Sequence, residues 1–82
     1  MEYFIAVYRS RDVSVRVAQR LRETGYVASL CSTPRAAGVG CGLSVRLKSV
    51  SESLASSLAA VETFAGIFAV RLVGGKSVVV RM

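Results

Sequence analysis

Five short apolar runs and two longer amphipathic segments alternate along the chain. Runs rich in β-branched and aromatic residues, bounded by turn residues, predict strands. The predicted strands are Tyr3–Tyr8, Tyr26–Cys31, Leu43–Lys48, Ile67–Val73 and Ser77–Arg81. Leu43–Lys48 alternates apolar and polar residues, which indicates a strand with one solvated face. Gly74 and Gly75 predict a tight hairpin turn between the last two strands.

The first amphipathic segment predicts a helix over about residues 11–24. Ser10 can cap its N-terminus, and Asp12 lies near the positive end of the helix dipole. Gly25 is a typical residue just beyond a helix C-terminus. The apolar stripe consists of Val13, Val17, Ala18 and Leu21.

The second amphipathic segment predicts a helix that begins after Ser49 and ends at Gly66. Ser49 and Glu52 have the spacing of a capping box, with serine at the N-cap and glutamate three residues later. The apolar stripe of this helix consists of Val50, Leu54, Leu58, Val61 and Ala65.

The predicted element order is β-α-β-β-α-β followed by one more strand. Because each helix has a single apolar face, both should cover the same side of a mostly antiparallel sheet. We therefore expect one domain over residues 1–82 with the two-layer α+β sandwich of the ferredoxin-like kind. The last strand, within residues 74–82, should lie at the sheet edge, where Val78, Val79 and Val80 invite pairing with another chain.

Composition narrows the function classes. The 82 residues are 52% hydrophobic, and the mean hydropathy is +0.50. A small chain with this many apolar residues should leave some of them exposed on its surface. Exposed apolar surface favours a homo-oligomer or a protein partner. The chain has no histidine, the commonest general base and metal ligand. Two cysteines are too few for a disulfide scaffold or a four-thiolate zinc site, so we expect no metal and no cofactor.

The chain carries no feature typical of export or membrane insertion. The segment from Met1 to Tyr8 lacks the basic start and the cleavage site of a signal peptide. The most apolar later stretch, from Leu54 to Val70, contains Glu62 and other polar residues, unlike a bilayer span. We therefore expect a cytoplasmic protein with reduced thiols and no membrane partner.

Cys41 is the strongest candidate for a chemically reactive residue. It lies between Gly40 and Gly42 in a small-residue loop, where no neighbouring side chain blocks approach to the sulfur. Thr33 and Pro34 predict a short helical turn before this loop, with Pro34 at its first position. Arg35 could bring a positive charge near the thiol and favour the reactive thiolate. The alternative is a cysteine chosen only as a small residue at a strand start.

Cys31 ends an apolar strand, and a small buried core residue is the favoured interpretation. The alternative is a second thiol that forms a disulfide with Cys41 across the intervening loop.

Positive charge suggests two further classes of partner. Lysine and arginine number 11 against five acidic residues, a net charge of +6. A helix surface rich in arginine is a candidate docking surface for an acidic protein or for nucleic acid. These arginines are Arg9, Arg11, Arg16, Arg20 and Arg22. The third predicted strand, Leu43–Lys48, lacks the stacking aromatics of RNA-recognition motifs, so single-stranded nucleic-acid binding ranks below a non-catalytic protein-interaction or regulatory module.

One combination of residues resembles a known family. Thr33-Pro34-Arg35, followed after a small-residue stretch by Cys41-Gly42-Leu43-Ser44-Val45-Arg46, resembles the selenium/sulfur carrier protein-like family of small bacterial domains. The resemblance covers about residues 3–72, and the segment from Gly74 to Met82 departs from the family pattern.

The resemblance implies a carrier rather than an enzyme. Cys41 would hold sulfur or selenium as a persulfide or selenosulfide, and Thr33, Pro34, Arg35, Gly40 and Gly42 would shape its loop. A donor such as a cysteine desulfurase and an acceptor protein would be the partners. The resemblance leaves open whether sulfur or selenium is the cargo.

Overall fold

A computed structural model describes residues 2–82 as five strands, two α-helices and one 3-10 turn. Met1, the first residue of the predicted 1–82 domain, lies outside the described residues. The elements are β1 (Glu2–Tyr8), α1 (Arg11–Glu23), β2 (Ala28–Ser32), the 3-10 turn (Arg35–Ala37), β3 (Leu43–Leu47), α2 (Glu52–Ala59), β4 (Phe64–Val73) and β5 (Lys76–Arg81).

The strands form a single antiparallel sheet in the order β2-β3-β1-β4-β5. This is the predicted α+β class, and the arrangement is compatible with a ferredoxin-like sandwich extended by β5. β1 is central, and both of its faces are covered. That position explains why it is apolar without alternation.

Both helices pack on one face of the sheet, as their single apolar stripes predict. Val13, Val17 and Leu21 of α1 and Leu54 and Leu58 of α2 are buried in one cluster. The strands contribute Ala6, Tyr8, Val45, Leu47 and Ile67 to the same cluster. The Tyr8 hydroxyl donates a hydrogen bond to the carbonyl of Leu58 at 2.9 Å and so joins β1 to α2.

The face of the sheet away from the helices, here called the open face, carries a second apolar cluster. Ile5 and Val7 of β1 and Phe68 and Val70 of β4 are buried there. The side chains packed around them are Tyr3, Cys31, Ala37, Val39, Ala65 and Val79. Ala37 and Val39 belong to the loop between β2 and β3, so that loop covers part of the open face.

The predicted limits of α1 are confirmed. The Ser10 hydroxyl accepts a hydrogen bond from the amide of Val13 at 3.4 Å. Thr24 caps the C-terminus, and Gly25 follows with a φ of +95°.

The predicted limits of α2 are wrong at both ends. Ser51, not Ser49, is the N-cap, and its hydroxyl accepts from the amide of Leu54 at 3.2 Å. The helix ends at Ala59 instead of running to Gly66. Val61 still packs on the helical core from the following turn, whereas Ala65 lies in β4 and packs on the open face.

Pairing with β1 explains why the helix stops early. Phe64 pairs with Tyr8 across the ladder, and the two rings meet edge to face with centroids 5.8 Å apart. The carbonyl of Thr63 accepts from the amide of Arg9 at 2.9 Å. A helix that continued to Ala65 would forfeit these contacts, so β4 begins at Phe64 rather than at the predicted Ile67.

The other strand boundaries differ from the predicted ones by at most two residues. β2 begins at Ala28 rather than Tyr26, because the amide of Tyr26 donates to the carbonyl of Leu21 and remains part of the turn that ends α1. β5 begins at Lys76, one residue before the predicted Ser77.

Candidate functional site

The loop of residues 33–42, which joins β2 to β3, is closed at its base by the first residue of the Thr-Pro-Arg motif. The amide of Thr33 donates to the carbonyl of Gly42 at 3.0 Å. The Thr33 hydroxyl also forms a short hydrogen bond with the buried hydroxyl of Ser44 in β3. Backbone and side chain of Thr33 together hold the loop ends side by side.

The remainder of the motif builds the 3-10 turn. Pro34 is extended and precedes the turn, so the prediction that it occupies the first helical position is wrong by one residue. The turn begins at Arg35, and the amides of Ala37 and Gly38 donate to the carbonyls of Pro34 and Arg35. Proline lacks an amide hydrogen and disfavours helical geometry in the residue before it, which suits this entry position.

Gly40 brings the loop back against the sheet. Its φ is +95°, and a Cβ at this position would collide with Cγ1 of Val7 and lie 3.3 Å from the carbonyl oxygen of Tyr8. The next amide, that of Cys41, donates to this same Tyr8 carbonyl at 3.2 Å. Close backbone approach therefore requires glycine at position 40 and fixes Cys41 at the end of β1.

The Cys41 thiol is half-buried and lies near the first turns of α1. Its Sγ donates to the carbonyl of Leu43 at 3.6 Å. The Ser14 hydroxyl donates to the same carbonyl at 3.1 Å and is also within hydrogen-bond distance of the Ser10 carbonyl, at 3.3 Å. On the other side of the cysteine, a Cβ at Gly42 would meet no atom within 4 Å. The space beside Gly42 is therefore not filled by any residue other than its chain neighbours.

A shallow depression of about 270 Å³ lies beside the cysteine. Its lining residues are Thr33, Pro34, Arg35, Gly38, Val39, Gly40 and Gly42. Arg35 thus shares the depression with both glycines that flank Cys41, whereas Cys41 itself is not among the lining residues. The structure brings the predicted loop residues together and keeps the sulfur against the Leu43 carbonyl.

The Cys31 thiol has different surroundings. It packs on the open-face cluster around Ile5 and Val7, half-buried, in register with Ser44. Burial raises the pKa of the Cys31 thiol, and the nearby positive charge of Arg46 lowers it in part. Both cysteines are free thiols. These surroundings fit the favoured interpretation of Cys31 as a packing residue.

Two buried hydroxyls that support the site were not singled out from the sequence. Ser14 and Ser44 are the buried polar residues of the described chain, and each bonds a group at one end of the 33–42 loop. A signal for Ser14 does exist, since it directly follows Val13 of the apolar stripe of α1 and precedes Val17 by three residues. Ser44 lies in an alternating strand and carries no comparable signal.

The arginines of α1 do not form one uniform patch. The Arg16 guanidinium pairs with the carboxylate of Glu62 at 2.6 Å on an exposed surface. That arginine also borders a depression of about 300 Å³ with Arg20 and Glu23, where charges of both signs meet. Arg22 donates to the carbonyl of Ala28 at 3.4 Å, on the β2 side of the helix.

The aromatic residues of the open face do not form an exposed stacking surface. The guanidinium of Arg46 lies over the ring of Tyr3, 4.0 Å from its centroid. That of Arg81 lies 4.9 Å from the centroid of Phe68, which is buried. A base could not stack on these two rings without displacing an arginine.

Within residues 2–82, neither helix combines the length and apolarity that a bilayer span requires. In the same residues, no three His, Cys, Asp or Glu side chains lie close enough together to bind a metal ion.

Fold and site together define a class of small α+β protein in which a loop braced on the sheet presents a free thiol between two glycines. The family model described as Putative Se/S carrier protein-like matches residues 3–64, and the chain belongs to this family. The match covers the helices and the 33–42 loop and ends at the first residue of β4. No curated protein and no solved structure matches the chain significantly.

Proposed function

We propose that the chain is a sulfur or selenium carrier and that Cys41 is the carrier thiol. Membership of the family supports the carrier role in general terms. The observation that carries the assignment to Cys41 is its position between Gly40 and Gly42, with open space on the Gly42 side. The thiol would accept the atom from a donor such as a cysteine desulfurase and pass it to an acceptor protein.

The contrast between the two thiols supports Cys41 over Cys31. Sulfur transfer uses the thiolate, and burial disfavours the thiolate of Cys31. Cys31 also lies among the apolar side chains of the open face, where a partner's reacting sulfur would have to displace packed groups. No side chain from elsewhere in the protein fills the space beside Gly42, which adjoins Cys41.

The loading step is an exchange between sulfur atoms. The Cys41 thiolate attacks the outer sulfur of a donor persulfide, a new S–S bond forms, and the donor's S–S bond breaks. The donor leaves as a thiolate, and Cys41 becomes a persulfide. The outer sulfur keeps its oxidation level, so no separate oxidant is consumed. Delivery repeats the exchange with the acceptor's thiolate as the attacking group.

The contact between the Cys41 thiol and Leu43 can break without leaving a buried acceptor unsatisfied. The Leu43 carbonyl accepts from Ser14 as well as from Cys41. When the thiol leaves that carbonyl to meet a donor, the Ser14 hydroxyl still satisfies it.

Incubation with a cysteine desulfurase and cysteine, followed by intact mass measurement without reductant, tests the proposal. We expect a mass increase of one sulfur atom on the wild-type chain and on a Cys31→Ser variant, and none on Cys41→Ser. Selenocysteine in place of cysteine distinguishes the two cargoes by the mass of the added atom. An adduct that survives Cys41→Ser, or no adduct on the wild type, would overturn the assignment.

A measurement of sulfide on the chain with cysteine and without the desulfurase distinguishes a carrier from an enzyme. A carrier takes up one sulfur atom per chain and stops until an acceptor is added. Continuous sulfide release by the chain alone, in excess of one equivalent, would contradict the carrier proposal.

A further inference from the structure

Exposed apolar residues concentrate on the C-terminal hairpin, residues 72–82. Of the eight large hydrophobic residues that are exposed in the described chain, five lie there. They are Leu72, Val73, Val78, Val80 and Met82. The hairpin follows the last residue of the family match, and its exposed apolar residues are not among those that line the depression beside Cys41.

The exposed valines of β5 lie on the helical side of the sheet. Val80 pairs with Ala69, which pairs with Phe4 of the helical core. Val80 is nevertheless 57% exposed and Val78 43% exposed. α2 is only eight residues long and packs beside β4, so the helical layer does not reach these valines. An apolar strip is left uncovered at the sheet edge.

The free edge of β5 also has unpaired backbone groups. The amide of Met82 donates to the carbonyl of Ile67 in β4. Backbone groups alternate in direction along an antiparallel strand, so those of Val80 and Val78 also point toward β4. Those of Ser77, Val79 and Arg81 point outward, and no described strand borders them on that side.

We propose that β5 pairs with β5 of a second copy of this chain, antiparallel, about a two-fold axis at Val79. Outward-pointing residues can bond only to outward-pointing residues of the partner. The register centred on Val79 pairs Ser77 with Arg81 in both directions and therefore uses all three outward residues. It extends the five-stranded sheet across two subunits.

Charge and apolar contacts favour this register. A register that placed Lys76 of one copy opposite Arg81 of the other would bring two cations together. The alternation of backbone groups excludes that register, because those of Lys76 point toward β4 and those of Arg81 point outward. In the proposed register, Val78 of each copy lies opposite Val80 of the other. The four valines then form one continuous strip on the helical side, and their contacts across the pair bury part of each side chain.

The other sheet edge is a poorer candidate. β2 has five residues, and two of them are serines, Ser29 and Ser32. The Ala28 carbonyl of this strand already accepts from Arg22. β2 therefore offers a second copy fewer apolar side chains than β5.

Sedimentation analysis over a range of protein concentrations tests the pairing. We expect a reversible dimer that tightens as salt screens the net charge of +6 on each chain. The double variant Val78→Lys, Val80→Lys should weaken the dimer by about tenfold or more, because it sets lysines across the axis. Val27→Lys, the same change at a valine that is 78% exposed near the β2 edge, is the matched control and should leave the dimer unchanged.

Cross-linking tests the register itself. In a Cys31→Ser, Cys41→Ser background, Val79→Cys should give a disulfide-linked dimer on mild oxidation, because the two copies of residue 79 face each other. Ser77→Cys should not give this linked dimer, because the two copies of residue 77 lie four residues apart along the paired strands. A wild-type chain that stays monomeric at every concentration, or a dimer that survives both lysines and is not linked through residue 79, would overturn the proposal.

Discussion

At single positions in this chain, a small number of close contacts determine which residue type fits and what surrounds its side chain. Gly40 is required because Val7 and the Tyr8 carbonyl leave no room for a Cβ. Cys31 and Cys41 are both half-buried, yet one packs in an apolar cluster and the other lies beside an unobstructed glycine. The sequence could mark Cys41 by its two glycine neighbours. It could not show that the Leu43 carbonyl accepts from its sulfur, because that contact depends on how the loop returns to the sheet.

Tyr8 should make stability depend on alkaline pH. Burial raises the pKa of its hydroxyl from 10.0 to about 12, so the folded state disfavours the ionised form. The stabilisation is fully present below pH 10, where the hydroxyl is protonated in both states, and is lost as pH rises through about 12.

A Tyr8→Phe variant separates this effect from the titration of other groups. At neutral pH it should lower the free energy of unfolding by roughly 1–2 kcal/mol, since the buried Leu58 carbonyl loses its donor. Between pH 10 and 12, the wild type should lose more stability than Tyr8→Phe. Urea unfolding across this range measures the difference, and parallel curves for the two proteins would contradict the argument.

At the scale of elements, apolar periodicity predicted every strand and helix, and the errors lie at the boundaries. Ser49 and Ser51 both precede Leu54, the first buried residue of α2, and either could cap the helix on local signals alone. Only the position of the helix on the sheet distinguishes them. The end of α2 was overestimated because residues 61–65 contain neither glycine nor proline, while the pairing of Phe64 with Tyr8 requires a strand there.

The two serines before α2 provide a matched test of the observed N-cap. Ser51→Ala removes the acceptor for the Leu54 amide and should lower the free energy of unfolding by about 1 kcal/mol. Ser49→Ala removes no described hydrogen bond and should change it by less than about 0.5 kcal/mol. Chemical denaturation of both variants measures the effects, and equal losses would show that the cap is not confined to Ser51.

At the scale of the whole molecule, the C-terminal hairpin and the 33–42 loop cover the open face together. The 3-10 turn contacts β5, and Val79 packs on the same cluster as Ala37 and Val39. The hairpin therefore supports the loop that carries Cys41, although it lies outside the residues that define the family.

Deletion of residues 76–82 should destabilise the chain and loosen the loop. It removes Val79 from the apolar cluster and exposes Phe68 and Val70. We expect a loss of about 2 kcal/mol or more in the free energy of unfolding, on the scale of a buried large-to-small substitution. Hydrogen exchange should also accelerate at the amides of Gly38 and Cys41, measured against the amides of α1 as an internal reference. Unchanged exchange at these two amides would show that the loop holds without β5.

The sequence by itself determined the element types, the single apolar face of each helix and the motif that marks the Cys41 loop. These features follow from local periodicity and from residue types that have few conformational choices. The tertiary structure alone decided the cap and the end of α2, the burial of Ser14 and Ser44, and the placement of the 33–42 loop over the open face. Each of those outcomes depends on contacts between segments far apart in the chain, and local periodicity carries no information about such contacts.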